Sequence, residues 1–149
     1  MLVSFVMRKE QRTKLLALGL ILLVAGAVVF YISNPAKQES ITVGTGWVQA
    51  VAPPYFNINV TASQIERAYV VNLNDWNVSI STRTAGTAFG GFLAGYFKLS
   101  NGANAEVLTT GESDLVLVLQ SGTYVVLGPA DFQAFLTSFD QSVTTAAGQ

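Results

Sequence analysis

No cysteine and no histidine occur among the 149 residues, and only 11% are charged. Without cysteine there is no disulfide, no lipidated cysteine and no thiol nucleophile. Without histidine the commonest general base and metal ligand are gone. Ser-His and Cys-His nucleophile pairs are therefore excluded. In the portion after residue 32, a Ser–Lys dyad would have to use Lys37, in a polar stretch, or Lys98, on a strand pattern. Neither sits in a serine–lysine motif. Glu112 and Asp114 are close enough in sequence for a carboxylate pair, but they flank a turn, where exposed acids are ordinary. The chain is expected to have no catalytic residue, no cofactor and no metal site.

What is abundant is apolar, at 50% of the chain. Leu15 to Ile32 holds eighteen residues with neither charge nor proline. As a helix this run spans about 27 Å, close to a hydrocarbon core of about 30 Å. It is apolar on every face, unlike the striped helix of a soluble core. Tyr31 suits the interface at its far edge. A cleaved signal peptide has a shorter apolar region and ends in small residues; here the run ends in Phe30, Tyr31 and Ile32. Arg8, Lys9, Arg12 and Lys14 precede it, while only Lys37 follows closely, beside Glu39. The positive-inside rule then predicts a single-pass protein of the cell membrane, N-terminus cytoplasmic and C-terminal portion extracytoplasmic. Gly19, Gly26, Ala17, Ala25 and Ala27 permit close helix packing and hence a homo-oligomer, but no Gly-x-x-x-Gly occurs in the segment.

Five regions follow: a cytoplasmic tail at 1–14, the transmembrane helix at 15–32, a stalk and first strand region at 33–54, one compact domain at 55–143 and a flexible tail at 144–149. Residues 1–14 carry a net charge of +3, and residues 33–149 carry four cations against eight acids, a net of −4. So acidic a portion lacks the clustered cations that nucleic acid or anionic headgroups require. No nucleic-acid partner is expected.

Ile41 to Val51 favours a strand, stopped by Pro53-Pro54. Phe56, Ile58 and Val60 alternate with Asn57 and Asn59, the period of a half-buried strand. Ile65 to Leu73 reads similarly. A loop, Asn74 to Asn77, and a Ser/Thr-rich stretch, 79–84, lead to a glycine-rich apolar segment at 85–97, read as a flexible loop entering a strand from Phe92 to Leu99. Asn101-Gly102 marks a hairpin turn, with Ala103 to Thr109 returning. Leu115 to Leu119 is apolar on both faces, as in a central strand, and Ser121-Gly122 turns it into Tyr124 to Leu127. The period then changes. Phe132, Phe135, Leu136, Phe139 and Val143 form one stripe of an amphipathic helix, with Pro129 and Asp131 suited to its start.

About seven strands closed by one C-terminal amphipathic helix is the layout of a pleckstrin-homology (PH)-like, partly open barrel. The sequence resembles the small bacterial and archaeal PH-domain-like family often found behind membrane segments. The residues that carry the resemblance are Ile65-Glu66-Arg67-Ala68-Tyr69, Arg83-Thr84-Ala85-Gly86, Gly95-Tyr96-Phe97-Lys98-Leu99, Asn101-Gly102, Gly128-Pro129-Ala130-Asp131-Phe132 and Phe135-Leu136. They span roughly residues 55–142. The resemblance implies a fold and no catalytic residues. The basic mouth with which eukaryotic PH domains hold phosphoinositides is missing.

Two functional expectations follow. The first is a non-enzymatic, membrane-anchored PH-like module for protein–protein contact or assembly at the cell envelope. The second is an extracytoplasmic small-ligand or anion receptor using Arg83 and the loop holding Gly86, Gly90, Gly91 and Gly95. That glycine spacing matches neither a P-loop nor a dinucleotide fingerprint. Arg83 reads either as an anion receptor or as a structural arginine satisfying loop carbonyls. Asn59 and Asn77 head glycosylation sequons, a number close to the one or so expected by chance; Asn77, in its loop, is the better acceptor.

Overall fold

A computed structural model describes residues 9–32, 39–54 and 56–144. Residues 1–8 of the expected tail at 1–14, residues 33–38 of the stalk and residues 145–149 of the expected tail at 144–149 lie outside the described residues. The chain divides into two compact units, Met1–Pro35 and Ala36–Gln149.

The first unit contains helix α1, Lys9–Ile32. Its side chains from Leu16 to Phe30 are apolar or glycine and exposed all round, as the sequence pattern requires. Among the described residues, no helix is long and apolar enough to cross a membrane. Over Leu16–Phe30 the helix rises only about 22 Å. The side chains of Leu15, Tyr31 and Ile32, which complete the eighteen-residue run, are outside the described set.

The second unit is mainly β. Its strands are β1 Ser40–Gly44, β2 Trp47–Ala52, β3 Phe56–Thr61, β4 Ile65–Asn72, β5 Ile80–Phe89, β6 Phe92–Leu99, β7 Asn104–Thr109, β8 Ser113–Leu119 and β9 Tyr124–Gly128. Helix α2, Phe132–Phe139, follows and ends in a π turn, Asp140–Thr144. Two strands exceed expectation. The run Ile41 to Val51 folds back on itself at Thr45-Gly46, so one expected strand is the β1–β2 hairpin. The expected loop over residues 85–91 belongs largely to β5, which pairs with β6 as far as Phe89↔Phe92.

The architecture also departs from a barrel. β1, β2 and β3 form one antiparallel sheet, and the other six strands form a second in the order β4-β8-β9-β7-β6-β5. β4 pairs with β8 rather than with β5, and β9 enters between β8 and β7, running parallel to β7. No strand is shared between the two sheets, so they do not close into a barrel.

The six-stranded sheet is buried on both faces at its centre. Leu115 and Leu117 join one core with Ala50, Phe56, Ile58, Val60 and the α2 phenylalanines. Val116 and Val118 point the other way, into a second core covered by Leu73, Trp76 and Val78 from the β4–β5 connection and by Ile80 at the start of β5. The expected loop at 74–77 is thus partly a cover, with the Trp76 ring 6.2 Å from that of Tyr124. α2 forms as its stripe predicts: Phe132, Phe135, Phe139 and Val143 are buried, and the Asp131 carboxylate accepts from the Ala134 N–H at 3.3 Å.

Candidate interaction site

Arg83 lies on β5, at the edge of the six-stranded sheet, opposite Phe97. Its side chain is exposed and makes no hydrogen bond or ion pair among the described residues. The structural arginine bonded to loop carbonyls is therefore not observed. The four glycines are not one cradle either. Gly86 and Gly95 face each other across the β5–β6 ladder, with φ of +111° and +141°. A Cβ on Gly86 would stand 2.6 Å from the Gly95 Cα, so glycine is needed there for backbones to approach. Gly90 and Gly91 form the hairpin tip, beside Phe89, which is 75% exposed. Of the sequon residues, Asn59 lies on the outer face of β3 and Asn77 in the β4–β5 connection, both exposed.

A cleft that sequence reasoning missed lies at the opposite edge of the same sheet. β4 is that edge, and among the described residues no strand pairs along its outer side. Ala68 and Val70 share the face of their partners Leu117 and Leu115, the face that α2 covers. α2 packs against β1 and β8. Between β4 and the end of α2 runs a cleft of about 710 Å³, with Val70, Leu115, Leu136 and Phe139 as apolar lining and Asp140 and Gln141 at its polar side. Val70 is 50% exposed although it is a valine inside a strand. Leu136 belongs to the helix stripe and is only half-buried, on the side that faces the cleft. The one cation on β4, Arg67, is 3.8 Å from Glu66, and among the described residues Asp140 has no ion-pair partner.

One buried ionisable group stands apart. Asp114 is 0% exposed, and neither carboxyl oxygen has a hydrogen-bond partner among the described residues. It sits beside the buried Thr109 hydroxyl, both leaning over Gly128, where a Cβ would collide with Asp114 Oδ1 and Thr109 Oγ1. Burial pushes the Asp114 carboxyl above its ordinary range; the neighbouring hydroxyl opposes part of that rise. Burial also raises Glu106 and Glu39.

Residues 50–143 match the family model described as Bacterial PH domain. The chain belongs to the bacterial PH domain family. The match runs from the middle of β2 to Val143 in the π turn that follows α2, and so takes in β3, the six-stranded sheet, the cleft and the buried Asp114, while β1 lies outside it. A search of curated proteins and of solved structures finds no match. PH domains in general are interaction modules for protein or lipid rather than catalysts; in this chain β4 and β5 are the edge strands of the six-stranded sheet among the described residues.

Proposed function

We propose that this is a single-pass membrane protein whose PH domain is a non-enzymatic protein-interaction module on the extracytoplasmic side. The observation that carries the interaction role is the unpaired edge of β4 beside an apolar cleft of about 710 Å³. Protein is favoured over anionic lipid because the portion after residue 32 has four cations to eight acids, and the described cations Arg67, Arg83 and Lys98 are dispersed over β4, β5 and β6. The anchor is supported by the eighteen-residue apolar run Leu15–Ile32, the helical backbone through it and the four cations before it. Crosslinking in native membranes tests the role. A reproducible product with a second, different protein is expected, and self-crosslinks alone would favour a purely structural assembly.

A second reading has its own observation. Arg83 is an exposed guanidinium without a partner among the described residues, which leaves its donors available to an anion. In that case Arg83→Ala abolishes stabilisation by an anionic ligand without altering the melt, and Arg83→Lys does not fully restore it.

A further inference from the structure

We infer that the β4–α2 cleft takes an extended segment of a partner protein, paired along β4, with an apolar side chain against Val70 and Leu136 and a lysine or arginine at Asp140. The inference rests on the interaction-module reading and specifies its partner.

Three observations meet at this site. The first is hydrogen-bonding capacity: an edge strand turns alternate N–H and C=O groups outward, and an added strand satisfies them in register. The second is shape. β-strand side chains alternate, so a strand laid beside β4 sends every second side chain toward the face carrying Ala68 and Val70. A cleft of about 710 Å³ has room there for bulky apolar groups. The third is charge. Asp140 is exposed at the cleft with Gln141 beside it, and the one cation on β4 is already offset by Glu66. An incoming cation completes the pair, and an incoming acid is repelled. A second copy of this chain fits less well: the exposed residues of its own β4, apart from the Glu66–Arg67 pair, are Ala68 and Val70, which bring no spare cation to Asp140.

The test is selection of nine-residue peptides from a random library on the full chain in lipid nanodiscs. Sequences that alternate β-branched or aromatic residues with polar ones, and hold Lys or Arg at one fixed offset, are expected. Val70→Lys should weaken a selected peptide about tenfold or more, because it places a charge on the apolar floor. Its melt should stay within a degree or two, since lysine is well tolerated on an exposed edge. Asp140→Lys should switch the selected offset residue from Lys or Arg to Asp or Glu. Selected peptides indifferent to both substitutions but lost in Arg83→Ala would overturn the cleft and keep the interaction module. No selected peptide on any face, together with no self-association, overturns both. Self-association abolished by Val70→Lys, with no peptide selected, would overturn the hetero-partner in favour of a second copy.

Discussion

Asp114 is a carboxyl group placed where only a neutral side chain is comfortable. Its folded pKa is raised by burial above the ordinary 3.8, so the folded chain binds the proton more tightly than the unfolded one. Stability from this group is complete below the unfolded pKa and is lost as pH rises through the raised folded value. Asp114→Asn keeps the shape and removes the titration. The variant should melt higher than the parent at neutral pH, with the gap closing as pH falls toward the ordinary aspartate range. A parent and variant with the same melting difference at every pH would show that the group does not titrate in that window. Gly128→Ala probes the same corner. The added methyl meets both Asp114 and Thr109, and overpacking of this kind costs about 1–3 kcal/mol. Asp114→Ala in the same chain should recover part of that loss, because it empties the space the methyl needs; strict additivity of the two changes would mean the groups do not touch.

Among elements, α2 has the clearest energetic role. Phe135 and Phe139 are buried, and their rings are 6.2 Å apart within the core that joins both sheets. Truncating either to alanine should cost about 3–5 kcal/mol, a large share of the roughly 5–15 kcal/mol available to a domain. Phe89→Ala, at the exposed hairpin tip, should change stability by no more than about 0.5 kcal/mol. Thermal melts of the three variants in the full chain decide this, and equal melts would make α2 peripheral. Those helix residues were legible because five apolar side chains repeat at helical spacing. β3 was legible for the same kind of reason: Phe56, Ile58 and Val60 alternate with polar residues and are buried as the period requires. β5 was not. Between Ile80 and Phe89 its residues are mostly Ser, Thr, Ala and Gly, and most positions are exposed, so neither period nor burial marks it, and its strand character comes from pairing with β6. The turn at Thr45-Gly46 did carry a signal, the glycines at 44 and 46, but the strand-forming residues on either side, Ile41, Val43, Trp47 and Val48, make the stretch read as one strand. The cleft was illegible for a third reason. It is made by β4 and α2, which are about seventy residues apart in sequence, and nothing local reports that they meet.

For the whole molecule, the proposed topology rests on the charge distribution. The first fourteen residues hold +3 and the portion after residue 32 holds −4. A reporter active only outside the cytoplasm, fused after Gln149, should work. Neutralising Arg8, Lys9, Arg12 and Lys14 together should scramble orientation, because the bias in flanking Lys and Arg sets the direction of insertion. A C-terminal reporter that is inactive in the parent would overturn the extracytoplasmic placement while leaving the PH domain fold intact.

The strand order has a consequence for assembly in time. β5, β6 and β7 pair with their neighbours in sequence, so that meander can form as soon as its last strand emerges. β4 waits: Tyr69 pairs with Val116, forty-seven positions later, and β9 must reach β7 in parallel before the sheet is continuous. Closing such long loops precedes the reward of the contacts they bring, which slows folding. During synthesis β4 therefore has two bare edges, one that β8 later covers and one that stays open in the finished domain. A chain stopped before β8 would present both, and nascent or truncated forms should be the aggregation-prone species.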